Sequence, residues 1–79
     1  MDFYELGRQI RQLRRLRGIS QQQIADDLGI SRATINALEK GRSGDVGVRK
    51  VLSILDYLGY EVKLREKSPF PTLEELAGE

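Results

Sequence analysis

Four neighbouring residues, Arg32, Ala33, Thr34 and Asn36, carry the most specific chemistry in this sequence. Arginine can donate two parallel hydrogen bonds to a guanine, threonine offers a hydroxyl and a methyl group, and asparagine both donates and accepts. Ser31 and Ala33 are small enough to allow a close approach. Near the start of a predicted helix, this set favours contact with base edges in a DNA major groove, with Arg32 as the first choice for a guanine.

Two short helices joined by a tight turn, predicted over residues 20–41, would position these side chains. Ser20 and Ser31 are good N-cap residues, because a serine hydroxyl can accept a backbone N–H in the first turn of a helix. Gly29 ends the first helix and Gly41 the second, since glycine takes the left-handed conformation without steric cost. The inward-facing residues follow the helical period and are Ile24, Ala25, Leu28, Ile30, Ile35 and Leu38.

This segment resembles the helix-turn-helix of the XRE, or Cro/repressor, family of DNA-binding proteins. The residues that carry the resemblance are Gln21, Ala25, Gly29, Ile30, Ser31, Ile35, Glu39 and Gly41. With the flanking helices, the resemblance extends over most of residues 3–58. It implies a mainly α, four- to five-helix bundle whose Ser31–Lys40 helix enters a major groove. It also implies a transcriptional repressor that binds DNA sequence-specifically.

Other polar residues near the motif offer contacts to the DNA backbone. Gln21 and Gln22 stand at the N-terminus of the first motif helix, where side-chain amides and the helix dipole can act together on a phosphate. Arg42 and Ser43 follow the second motif helix, and the resemblance implies that this loop passes close to the sugar–phosphate backbone. Two alternatives stay open: the glutamines form an ordinary polar first turn, and the loop makes no contact.

A helix over residues 3–17 and another over about 46–58 flank the motif. Apolar residues recur in both with the period of a buried helix face. The arginines of the first helix either form a solvated face or reach phosphates, and the candidates are Arg11, Arg15 and Arg17. The resemblance implies that Glu39 pairs with Arg14 or Arg11.

Residues 60–65 change from the helical period to strict alternation. Tyr60, Val62 and Leu64 alternate with charged residues, which predicts a half-buried strand. A lone strand leaves its backbone groups unpaired, and its simplest partner is the same strand of a second copy, antiparallel across a two-fold axis. We therefore predict a homodimer with a two-stranded intersubunit sheet, in which these three side chains face the core. The alternative is an extended, unpaired segment.

The strand completes a DNA-binding and dimerisation domain over residues 1–65, and residues 66–79 form a tail. Phe70, Leu73 and Leu76 in this tail are candidate anchors for a partner protein, although a disordered tail is the alternative. A helix-turn-helix followed by one dimerising strand is similar in architecture to the HipB-like antitoxins. That resemblance implies an antitoxin that binds an inverted-repeat operator and a HipA-like kinase toxin. The alternative is a stand-alone XRE-type regulator without a toxin partner.

The composition of the 79 residues argues against several classes of protein. Without cysteine or histidine the chain lacks disulfides, thiolate metal sites and the commonest general base, so we expect no catalysis, metal or cofactor. The net charge of +1 hides an asymmetry, since residues 1–65 carry +4 and residues 66–79 carry −3. A basic body favours a polyanionic partner. No apolar run approaches the roughly 20 residues that span a bilayer, so we expect a cytoplasmic, nucleoid-associated protein without membrane contact.

Overall fold

Four α-helices make up the regular structure of residues 1–42 and 46–67, the residues that the computed structural model describes. They are α1 (Phe3–Leu16), α2 (Gln21–Leu28), α3 (Arg32–Glu39) and α4 (Val48–Tyr57). The mainly helical fold predicted from the sequence is therefore present. Within these residues there is no fifth helix, the upper number that the prediction allows. No helix in the described part of the chain is long and apolar enough to cross a membrane.

Local side-chain caps explain where the first three helices begin. The Asp2 carboxylate accepts from Glu5 N at 2.7 Å, Ser20 Oγ accepts from Gln23 N at 3.0 Å, and Ser31 Oγ accepts from Thr34 N at 3.1 Å. Each bond satisfies one of the unpaired N–H groups in a first helical turn. Gly29 then ends α2 in the left-handed conformation, with φ at 66°. The turn between α2 and α3 is therefore fixed by residues within it.

A small apolar core lies between the helices. Its fully buried side chains are Ile10, Ile24, Ile35, Leu38, Ile54 and Leu58. α3 packs against both α1 and α2, and α4 packs against α2. The approach of α1 to α3 is close because Gly7 has no side chain, and a Cβ added there would collide with the carbonyl oxygen of Leu38. α3 is thus held against α1 by backbone proximity as well as by apolar contacts.

The segment after α4 differs from the prediction made for it. Residues 60–67 form no strand within the described chain, and the last backbone hydrogen bond joins Tyr60 N to Leu55 O at 2.9 Å. Tyr60, Val62 and Leu64, which are predicted to face the core of a dimer, are 42%, 52% and 96% exposed in the single chain. A strand needs another backbone to pair with, and residues 1–42 and 46–67 of one chain offer none here. Pairing between two copies stays a prediction.

Candidate nucleic-acid interface

The N-terminal half of α3 is the exposed part of the predicted recognition helix. Ser31, Arg32 and Ala33 are exposed, whereas Thr34 and Asn36 are half-buried. The hydroxyls of Ser31 and Thr34 lie 2.7 Å apart and form a hydrogen bond with each other, so both are held in place at the helix start. Arg32 and Ala33 are therefore the residues of α3 most accessible to a ligand.

A buried ion pair fixes the other end of α3 to α1. Arg14 donates from Nε to Glu39 Oε2 at 2.7 Å and from Nη2 to Glu39 Oε1 at 2.9 Å. Its third contact runs from Nη1 to the carbonyl of Ile19 at 2.9 Å. The hydrogen bond to Glu39 raises the pKa of Arg14, with their charge attraction adding to it, although burial acts the other way. The implied pairing of Glu39 is confirmed, with Arg14 and not Arg11 as its partner.

Gln21 joins α2 to the same pair. Its Nε2 donates to Glu39 Oε1 at 3.0 Å and lies 3.4 Å from Asn36 Oδ1. Glu39 thus receives three donated hydrogen bonds, from two side chains on two different helices. The structure brings Gln21 and Asn36 together: Gln21 of α2 donates to side chains of α3, and Asn36 of α3 accepts from Gln21.

A polar cleft of about 240 Å³ opens over this network. Its lining residues are Arg11, Arg14, Gln21, Asn36, Glu39 and Lys40. The charge of Glu39 is offset by Arg14, whereas Arg11 and Lys40 are exposed and keep the cleft positive. A positive cleft beside an exposed helix start suits a DNA phosphate.

Of the cleft residues, Arg11 is one of the three arginines of α1 proposed from the sequence to reach phosphates, whereas the sequence does not assign Lys40 to the site. Lys40 follows Asn36 by four residues, and residues with this spacing lie on the same face of a helix. That spacing was the signal that could have added Lys40. Of the three arginines proposed from the sequence, Arg11 alone lines the cleft. No local signal distinguishes it from Arg15 and Arg17, because its position depends on how α1 packs against α3.

The remaining predicted contacts lie around this cleft or outside the described residues. The Gln22 side chain donates to Asp26 Oδ1 at 2.8 Å along the exposed face of α2. Arg42 is exposed just after α3, and its backbone N–H is bonded to Ala37 O at 3.0 Å. Ser43 falls outside the described residues, as do Phe70, Leu73 and Leu76.

A separate apolar surface lies between α1 and α4 and is bordered by residues 60–67. We call this cavity of about 1280 Å³ the α1–α4 groove. Apolar residues that line it include Phe3, Leu6, Leu13, Val48, Val51, Leu52, Leu55, Tyr60, Val62 and Leu64. None of the described residues that line it belongs to α2 or α3. The predicted dimerisation residues are therefore on a different surface from the polar cleft.

Comparison with known proteins supports the helix-turn-helix motif. A family model described as a helix-turn-helix domain matches residues 5–67. No curated protein matches the chain significantly. The matched range includes α1 from Glu5 onward, all of α2, α3 and α4, the polar cleft and the segment up to Lys67.

Proposed function

The chain belongs to the helix-turn-helix domain family, and from this premise we propose that it is a homodimeric repressor that reads an inverted-repeat operator with α3. Membership of the family indicates sequence-specific DNA binding in a regulatory role. The observation that carries the proposal is the anchoring of α3. Its C-terminal end is fixed by Glu39 to Arg14 and Gln21, while its N-terminal residues remain exposed.

The proposed contacts follow from the position of each side chain. Arg32 donates two hydrogen bonds to a guanine, and Thr34 offers its methyl group to a thymine or its hydroxyl to a phosphate. Asn36 contacts a base or a phosphate, whereas Ser31 and Ala33 let the helix approach closely. The proposed backbone contacts come from Gln21, Gln22, Arg42 and Ser43, and the polar cleft adds Arg11 and Lys40.

A two-fold dimer sets the form of the operator. Two copies would place their α3 helices about one DNA turn apart, roughly 34–36 Å, which calls for an inverted repeat. The dimer contact proposed here is the pairing of residues 60–65 between copies. Support for it comes from the alternating sequence and from the exposure of Val62 and Leu64, which a second copy would cover.

The first experiment selects DNA bound by the chain from a random duplex library and measures affinity for the enriched sequence. The Arg32→Ala variant should bind this operator about 10–100-fold more weakly, because a bidentate contact to guanine contributes about 1–3 kcal/mol. Its dimerisation should be unchanged. Arg49→Ala is the matched control, since Arg49 is exposed on α4 and lines neither the cleft nor the groove. Equal affinities of the two variants would contradict the assignment of α3.

The finer proposal is that this repressor is the antitoxin of a HipBA-like module with a kinase toxin as its partner. It is supported by the alternating segment after α4 and by the apolar residues spaced along an acidic tail. The alternative is a stand-alone regulator of the XRE type. A pull-down of the tagged chain from its own host separates the two. A near-stoichiometric kinase-like protein supports the antitoxin, and recovery of the chain alone favours the stand-alone regulator.

A further inference from the structure

The segment 60–67 has unpaired backbone groups and two chemically distinct sides, which suit it to pair with another strand. Beyond Tyr60 its backbone makes no backbone hydrogen bond with any other described residue. One side of the segment is apolar and the other is charged, because Tyr60, Val62 and Leu64 alternate with Glu61, Lys63 and Arg65. Lys63 Nζ and Glu61 Oε1 lie 3.4 Å apart, which shows that these two charged side chains share a side.

Only some registers are compatible with a two-fold pair of such segments. In an antiparallel pair, a shift by one residue would place apolar side chains opposite charged ones, so the two-fold axis must pass through a residue. Centring on Glu61, Lys63 or Leu64 sets like charges opposite each other: Glu61 faces its own copy, Lys63 faces its own copy, or Lys63 faces Arg65. The Lys63 register also sets Glu61 opposite Arg65, but it keeps the like-charged Lys63 pair at its centre. Centring on Val62 sets Glu61 of each copy opposite Lys63 of the other.

We infer that two copies pair antiparallel with Val62 on the two-fold axis, so that the charges on one side of the sheet alternate in sign. This inference rests on the proposed homodimer and specifies its contact. Opposite charges directly across an antiparallel pair are stabilising, and like charges there are destabilising. The charged side of the segment therefore selects one register among those that keep the apolar sides together.

The α1–α4 groove supplies the apolar surface that this pair would cover. Val48 is 74% exposed and Leu52 is 45% exposed, and both line the groove beside the segment. In the Val62 register, Leu64 of the second copy lies next to Tyr60, and the two copies of Val62 meet. Leu64, almost wholly exposed in the single chain, then gains apolar neighbours, and its burial favours association.

Cysteine cross-linking tests the register directly, because the chain has no cysteine of its own. Residues that face each other in an antiparallel pair have Cα atoms about 4.5–5.5 Å apart, which lies within the range of a disulfide. Under mild oxidation, Val62→Cys should form a covalent dimer. Lys63→Cys is the matched control and should stay uncross-linked, because the two copies of residue 63 are offset along the strands. An equal mixture of Glu61→Cys and Lys63→Cys should form a mixed covalent dimer.

The outcomes separate the register from the proposed function. Cross-linking of Lys63→Cys without Val62→Cys would overturn the register. If Val62→Cys sediments as a dimer under reducing conditions and binds operator DNA but does not cross-link on oxidation, the inference fails and the repressor proposal stands. A chain that sediments as a monomer would overturn both the inference and the proposed homodimer. Its affinity for operator DNA then tests sequence-specific binding by itself.

Charge reversal gives a second test that needs no oxidation. Glu61→Lys alone and Lys63→Glu alone each place like charges across both halves of the pair, and each should weaken self-association about tenfold. An equal mixture of the two variants has opposite charges at every facing position and should recover dimers. Failure of the mixture to associate more tightly than either variant would overturn the register.

Discussion

Replacing Arg14 with methionine is the most informative perturbation of how α3 is held. Methionine keeps much of the unbranched side-chain volume but removes both hydrogen bonds to Glu39 and the bond to the carbonyl of Ile19. The Glu39 side chain is only 1% exposed and Arg14 only 12%, so the carboxylate left behind cannot be solvated where it lies. One hydrogen bond, from Gln21, remains to it.

The expected loss of stability follows from this burial. Removing one member of a buried ion pair costs about 3–5 kcal/mol, because the other charge stays buried without compensation. The remaining donor from Gln21 places Arg14→Met near the lower end, at about 3 kcal/mol. For a domain of this size each kcal/mol lowers Tm by about 4–8 °C, so the midpoint should fall by roughly 12–24 °C.

Thermal and urea unfolding followed by far-UV circular dichroism measure this loss. Arg15→Met is the control, since Arg15 is exposed on the same helix. In the double variant Arg14→Met/Glu39→Leu no charge remains buried, and its free energy of unfolding should return to within about 1 kcal/mol of the wild-type value. The reasoning is refuted if Arg14→Met is as stable as its control, or if the double variant is no more stable than Arg14→Met.

Three further predictions test the fold and the polar cleft. Gly7→Ala should destabilise the chain by about 3 kcal/mol in urea unfolding, because its Cβ collides with the backbone of α3, whereas Gln12→Ala on the exposed face of α1 should be nearly neutral. The hydrogen bond from Tyr57 to Asp27 raises the pKa of Tyr57 above its ordinary value of 10.0. The contribution of this hydrogen bond to the free energy of unfolding is therefore complete below pH 10.0, and it is lost as pH rises through the higher pKa of the folded state. Alkaline unfolding should therefore depend less on pH in Tyr57→Phe than in the wild type. Arg11→Ala should lower the slope of log affinity for DNA against log salt concentration by about one unit, and an unchanged slope would remove Arg11 from the phosphate contacts.

The helix-turn-helix could be predicted because its signals are local. Ser20 and Ser31 cap the helices that follow them, and Gly29 takes the left-handed conformation expected at a helix end. Each of these effects acts over three or four residues, so the order of residue types is enough to find them. Glu39 lies 25 residues from its partner Arg14 in the sequence, and no local signal marks this ion pair. It was predicted from the family resemblance.

The features that could not be predicted depend on packing between distant elements. Val48 and Leu52 of α4 remain exposed, which its periodicity does not show. Periodicity identifies an apolar helix face but not the element that packs against it. The alternation over residues 60–65 likewise marks an apolar side, and the part of the chain that the structure describes does not cover it. The polar cleft brings Arg11 close to Gln21 through the packing of α1 on α3, which neither segment specifies alone.

The attachment of Gln21 to Asn36 and Glu39 has a consequence for the thermodynamics of recognition. Ordering a flexible side chain at an interface costs about 0.5–1.5 kcal/mol when it occurs on binding. Gln21 and Asn36 are already restrained by hydrogen bonds in the free protein, so this entropy is lost during folding. Arg32 is exposed at the start of α3, and its rotamers would be ordered only when the proposed contact with DNA forms. The entropic cost of reading a sequence is thereby concentrated in the residue that makes the proposed contact with guanine.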